Sequence, residues 1–236
     1  MPSSVKIQAI KTRVFKVNEN LLKFLEFYFK KLKEGDVLVI TSKIVSLSEN
    51  RFLSQTSPKI KEKLIRQESD FVLKTKLAFL TIKNGVAMAN AGVDESDANG
   101  GIILLPDDSF KTAVKIRSHF QKKYKLKKLG VIVTDSRTMP LRSGIVGIAL
   151  GYAGFKGLKD YRQTKDIFNR PFHFSRVDVA DSLATAAVFC MGEGNEQKPL
   201  AIIRGASLEY VNKIMKNDLN INIKKDMYAP LFRKIK

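Results

Sequence analysis

Three short runs of uninterrupted apolar, mostly β-branched residues set the terms on which this chain can fold: "DVLVI" ending at Ile40, "GVIV" ending at Val133 and "LAII" ending at Ile203. Each lacks polar positions for a wet face and is shorter than a typical helix. They therefore read as strands buried within a sheet. The first opens into Thr41, Ser42 and Lys43, and the second into Asp135, so both deliver polar side chains just past a strand.

Helix and strand patterns are interspersed irregularly around these runs. Residues 5–15 mix β-branched and basic side chains and read as a strand. Leu21, Leu25, Tyr28 and Leu32 stand at helical spacing, with Asn20 as N-cap and Gly35 as stop. Residues 58–66 and 110–120 read as helices, and the apolar runs 77–82 and 86–89 flank Asn84 and Gly85, a hairpin signal. Residues 172–179 alternate as a strand, and Asp181 is placed to cap the helix "SLATAAVFCM". Without the regular alternation of a doubly wound sheet, the expected class is α+β, with mixed sheets and helices. No internal repeat, low-complexity tract or clear linker interrupts the 236 residues, which read as a single domain. The stretch between Gly144 and Gly157 is the richest in glycine, and close packing and a mobile loop are both open readings of it.

The 42 Lys and Arg against 23 Asp and Glu give a formal charge of +19, a positive field that attracts anions without selecting one. Eight basic residues between 111 and 128, and seven beyond residue 212, read as solvated faces. Cys190 is the single cysteine, which excludes an internal disulfide, and its apolar neighbours make it packing material. The N-terminus lacks a signal-peptide pattern, and no segment nears the roughly 20 apolar residues of a membrane span, so a cytoplasmic protein is expected. His119 and His173 lack partners at zinc spacing, and neither familiar glycine-rich phosphate loop is present. "KKYKLKK" around Tyr124 raises nucleic-acid binding, but no RNA-binding aromatic pattern, zinc-finger spacing or basic heptad accompanies it.

Acids concentrate where apolar segments end. Asp94, Glu95 and Asp97 follow one such run, Asp135 and Ser136 another, and Glu193 lies between Gly192 and Gly194. Oxygen ligands presented from the ends of rigid elements suit Mg²⁺ or Mn²⁺, which bind one or two carboxylates and complete their shells with water and phosphate. Turn formation and capping explain the same residues equally well on spacing alone.

In chain order, "NAGVDESD", "GVIVTDSR", "SGIVGIALGYAGFKGLKDY", "DVADSLATAA", "MGEG" and "AIIRG" resemble the coenzyme F420 γ-glutamyl ligase family. The resemblance implies an α+β fold of two intimately connected subdomains, a homodimer, and an amide-forming ligase. Such an enzyme uses GTP, or ATP, with Mg²⁺ or Mn²⁺ to add L-glutamate to a small anionic carboxylate acceptor through an acyl phosphate. The acceptor is a deazaflavin coenzyme precursor or, in some relatives, a folate. By the same resemblance the metal ligands are Asp94, Asp135, Ser136 and Glu193, and Asp135 is the residue on which catalysis depends. Nucleotide contacts fall on residues 12–15, among them Arg13, on Ser42, Lys43 and Asp97, and on Met191, Gly192, Glu193, Gly194, Asn195, Glu196, Gln197 and Lys198. Arg13, Lys43 and Arg137 are candidate substrate contacts because they adjoin the matched motifs. The chain departs from the family at Leu47, where lysine is usual, and at Asp97, where asparagine is usual. Those two departures keep a catalytically impaired nucleotide-binding homologue as the competing reading.

Overall fold

The computed structural model describes residues 4–216 and 218–232. Its elements begin with β1 (Lys6–Ile10), α1 (Leu21–Tyr28), β2 (Asp36–Thr41), α2 (Ser42–Ser48), β3 (Phe52–Leu53), α3 (Pro58–Gln67), β4 (Phe71–Lys74), β5 (Phe79–Lys83) and β6 (Val86–Ala89). They continue through β7 (Ile102–Ile103), α4 (Ser109–Tyr124), β8 (Leu129–Thr138), β9 (Ile145–Ala153), β10 (Leu158–Asp160), β11 (Arg176–Asp178), α5 (Val179–Met191) and β12 (Leu200–Arg204). The class is α+β, as expected. The chain divides into two compact units: the first takes in the segment up to Asn50 and Pro106–Asp218, the second Arg51–Leu105 and the chain from Leu219 onward.

The first unit is built on a five-stranded sheet in the order β1-β12-β2-β8-β9. The three apolar runs supply β12, β2 and β8, its three central strands. Only β2 and β8 are parallel; the other neighbours are antiparallel. Leu38, Ile40, Val131, Val133 and Leu200 pack with Phe24, Leu25 and Phe29 and with Ala113, Ile116 and Phe120 of α4. Arg117 departs from the expectation of a fully solvated basic helix. It is buried, and its Nε donates to the Leu129 carbonyl at 2.9 Å.

Several boundaries differ from the sequence reading for local reasons. Strand β1 stops at Ile10 because its partner β12 begins at Leu200 and leaves no ladder for residues 11–15. Helix α1 is capped by Asn20 as expected, but ends at Tyr28 rather than near Gly35. Phe29 and Leu32 are core residues, and the Tyr124 hydroxyl donates to the Phe29 carbonyl at 2.6 Å. Strand β8 continues past Asp135 to Thr138 because β9 folds back along it as far as the Thr138–Ile145 pair. Of the alternating run 172–179, only residues 176–178 are strand, and His173 lies in the loop before them. Cys190 is half-buried rather than fully packed.

Glycines bring β9 close to its neighbours. A Cβ on Gly151 would stand 2.4 Å from the Ser109 backbone, and one on Gly147 would stand 2.6 Å from Val188 of α5. The register passes from Val133–Gly151 to Thr134–Ala149, so Leu150 is the extra residue of a bulge. Next to it, the Ala149 N–H donates to Asp181 Oδ1 at 2.9 Å, and Thr185 Oγ1 donates to the Gly147 carbonyl at 2.7 Å. Asp178, not Asp181, therefore caps α5, accepting the Asp181 N–H at 2.9 Å. Asp181 is instead engaged with the edge of β9.

Burial pushes the Asp181 carboxyl above its ordinary range, against the opposing pull of the Ala149 N–H and the Arg137 charge. An acid whose folded pKa is raised contributes stability below its unfolded pKa, and that contribution is lost as pH rises through the folded value. Asp181→Asn keeps the acceptor and cannot ionise. It is expected to raise Tm at pH 7 by about 2 °C and to converge on the parent near pH 4. Scanning calorimetry at the two pH values measures this, and a lower Tm at pH 7 would refute the argument.

In the second unit, β4-β5-β6 form a meander and β3 pairs with β7. The β5–β6 turn has φ of 52° at Asn84 and 78° at Gly85, the left-handed pair that the Asn-Gly signal requires. Ile65, Ala91, Val93, Ile102 and Leu104 form its core. Ser57 caps α3, with Pro58 in its first turn.

Candidate active site

One end of the five-stranded sheet gathers most of the candidate residues. Ile10 lies opposite Leu200, Leu200 opposite Ile40, and Ile40 opposite Val133. Residues 11–15 leave this end after β1, Thr41 to Lys43 leave it after β2, and Asp135 and Ser136 lie just beyond it on β8. The loop from α5 enters β12 at the same end. Two hydrogen bonds tie these segments together: Thr12 N–H to the Gln197 carbonyl at 2.9 Å, and Thr41 N–H to the Pro199 carbonyl at 3.0 Å. Ligands of sheets with parallel strands commonly bind outside the carboxyl ends of those strands, which here means β2 and β8.

Asp135, Ser136 and Glu193 make the chemically distinctive part. Asp135 Oδ1 accepts the Ser136 N–H at 2.9 Å, and Ser136 Oγ donates to Glu193 Oε2 at 3.2 Å. A carboxylate after the end of α5 is thus joined to a hydroxyl and a second carboxylate on β8. Gly192, at φ +84°, turns the chain out of the helix, and the Gly194 N–H donates to Glu196 Oε2 at 2.8 Å. The donors are hard oxygens, the set Mg²⁺ and Mn²⁺ take. Among the described residues no three His, Cys, Asp or Glu side chains gather into a cage. Two carboxylates and a hydroxyl fit an open cation site of the kind that substrate phosphates complete.

The other candidates divide by surroundings. Ser42 is buried and opens α2, Lys43 is half-buried beside it, and Met191 is buried at the end of α5. Gly192, Glu193, Gly194, Asn195, Glu196 and Gln197 are exposed, with Lys198 half-buried. Arg13 donates to both carboxylate oxygens of Glu19 and lies 5.1 Å from the centre of the Phe24 ring. Its hydrogen bond holds the Glu19 carboxyl below the usual range. Arg13 is therefore engaged within its own loop. Leu47, one of the two positions where the resemblance implied a departure, packs partly against the core. Asp94 and Asp97 belong to the second unit. Asp94 accepts from Ser96 through both carboxylate oxygens, at 2.8 and 2.6 Å, and pairs by backbone with Ile103. Asp97 is exposed at φ +55°.

The family model described as F420-0:Gamma-glutamyl ligase matches residues 9–205. This chain belongs to that family. A protein of Methanocaldococcus jannaschii named coenzyme F420:L-glutamate ligase is 32% identical, over 88% of this chain and 90% of its own. Relatives of the same name in Methanococcus maripaludis and Methanopyrus kandleri are 37% and 33% identical, covering 77% and 75% of this chain and 80% and 78% of theirs. Membership in the F420-0:gamma-glutamyl ligase family makes the protein an enzyme class that forms a γ-glutamyl bond. Among the described residues no helix is long and apolar enough to cross a membrane.

Two acids escaped the sequence reading as site residues: Asp178, which lay within the run read as an alternating strand, and Asp181, read as a helix cap; with Arg137 they line a groove between β9 and α5. Their signal is two carboxylates three residues apart ahead of an apolar helix. Capping accounts for one of them and leaves the other unexplained.

Proposed function

We propose that this protein is a GTP- and metal-dependent ligase that joins L-glutamate to a carboxylate of the deazaflavin coenzyme precursor F420-0. The observation that carries the reading is the Asp135–Ser136–Glu193 cluster at the sheet end, in a chain of a γ-glutamyl ligase family. The names of the relatives support the amino acid and the acceptor.

A carboxylate and an amine do not condense in water without activation. In this reading the γ-phosphoryl group of GTP passes to the acceptor carboxylate and GDP leaves. The glutamate amine then attacks the acyl carbon, the carbon–oxygen bond to phosphate breaks, and inorganic phosphate departs. A bound Mg²⁺ or Mn²⁺ supplies positive charge that offsets repulsion between triphosphate and carboxylate. Asp135, Ser136 and Glu193 are the residues that would hold it. Strand β8 fixes the first two, and the Ser136 hydroxyl orients the third. Lys43 and Lys198 bring positive charge to the same end of the sheet, and the net charge of +19 favours the approach of anionic substrates.

The test incubates the pure protein with GTP or ATP, Mn²⁺ or Mg²⁺, labelled L-glutamate and either F420-0 or tetrahydrofolate, and weighs the products. The expected outcome is one or more glutamyl additions to F420-0 with GTP. A chelator should abolish them and excess Mn²⁺ restore them. Ligation indifferent to the chelator would remove the metal from the reading. Absence of product from either acceptor, with GTP and Mn²⁺ still bound in calorimetry, would favour the impaired homologue.

A further inference from the structure

The groove between β9 and α5 has a volume of about 560 Å³, and among the residues lining it are Arg137, Asp178, Asp181, Met139, Val146 and Phe189. It holds none of the Asp135–Ser136–Glu193 cluster, yet Arg137 stands only two residues beyond Asp135 on β8, a rise of about 7 Å along a strand. The Nε of Arg137 is buried and has no hydrogen-bond partner among the described residues. The guanidinium exerts a field on both carboxylates, but no ion pair within contact distance joins it to either. Each acid spends Oδ1 on backbone, Asp178 on the Asp181 N–H and Asp181 on the Ala149 N–H. Burial raises both carboxyls above their ordinary range, the mark of desolvated acids without a sufficient cation. Phe189 is 87% exposed on the same groove and offers it an apolar edge.

A buried donor without an acceptor, two acids with no ion-paired cation and an apolar strip call for a ligand that carries a carboxylate and an ammonium on the same carbon, with a short methylene chain beyond it. We propose that this groove binds the free amino-acid substrate, with the α-carboxylate on Arg137, the ammonium between Asp178 and Asp181, and the side-chain methylenes along Met139, Val146 and Phe189. The inference rests on the ligase reading for the identity of the amino acid, L-glutamate. It assigns Asp178, Asp181 and Arg137 to substrate binding and places the amine's entry beside the strand that carries Asp135.

Binding is measured by calorimetry with a non-hydrolysable GTP analogue and Mn²⁺ present, so that no turnover is needed. The probes are L-glutamate, 4-aminobutyrate, which lacks the α-carboxylate, and glutarate, which lacks the amine. The parent protein is expected to prefer L-glutamate to each by about 30-fold, the scale of a hydrogen bond between charged groups. Arg137→Gln should erase the preference over 4-aminobutyrate while leaving that over glutarate. Asp178→Asn, which keeps the helix cap, should reduce the preference over glutarate, and Arg137→Lys should recover part of what Arg137→Gln loses. Undiminished discrimination in Arg137→Gln, with parental Tm, would overturn the proposal. So would a change in sedimentation with unchanged glutamate affinity, which would make the groove a face between copies of the chain. If the parent binds L-glutamate with these preferences but ligates nothing, the groove stands and the ligase reading falls. If it ligates while the variants keep parental discrimination, the ligase reading stands and the groove falls.

Discussion

Asp135→Asn is expected to lower the rate of γ-glutamyl ligation by about 10³-fold, the scale of losing one preorganised electrostatic contact to the transition state. The substitution exchanges a charge for an amide of the same shape. Its Oδ1 can still accept the Ser136 N–H, and β8 remains paired on both sides. Stability should therefore stay within about 1 kcal/mol of the parent, typical of a half-exposed substitution that leaves no buried group orphaned. On the proposed phosphoryl-transfer route, steady-state kinetics should place the loss in kcat, with KM for the acceptor little changed. Parental kcat in a folded Asp135→Asn protein would remove this residue from the chemistry.

The largest expected effect on folding comes from Gly154→Ala. Gly154 adopts φ +93°, and a Cβ there would stand 2.1 Å from the Leu129 carbonyl and 2.5 Å from Arg117 Nε. That carbonyl already accepts the Arg117 hydrogen bond, and the guanidinium is held a second time by Asn212 at 3.2 Å. Neither neighbour is a free side-chain end that can swing away. Backbone strain and forced repacking together should cost about 3–5 kcal/mol, a fall in Tm of roughly 10 °C or more. Gly100→Ala is the control, since Gly100 has φ +82° with nothing among the described residues within 4 Å of the added carbon. It carries the conformational penalty alone, about 1–2 kcal/mol. Similar Tm values for the two variants would show that the clash is relieved cheaply.

The contrast between those two glycines shows why some of the structure is legible in the sequence and some is not. The central strands could be read because an uninterrupted apolar run has few other uses, and the Asn84-Gly85 turn because its backbone demands those residue types. The cap at Asn20 was legible because one residue does one job there, whereas Ser57, which caps α3, went unread. The end of α1 was not, because Phe29 and Leu32 carry on the helical pattern while serving a core that tertiary contacts define. The glycine-rich stretch was ambiguous for the same reason: packing of Gly147 and Gly151 depends on α5 and on the start of α4, which are distant in the chain. Of the candidate site, the motifs located the sheet-end residues of the first unit. Asp178 and Asp181 remained hidden, because the bulge that engages one of them arises from strand pairing that no local pattern announces.

The order in which the five-stranded sheet is wired has a further consequence for how the protein comes into being. Among the described residues strand β1 pairs with β12 alone, with Lys6 opposite Arg204, and β2 waits for both β8 and β12. A ribosome therefore releases the two earliest strands long before their partners exist, with the Val37–Ile40 edge bare in the interval. Nascent chains halted before residue 200 should stick to chaperones or to one another, and release should come abruptly once the last strand clears the exit tunnel.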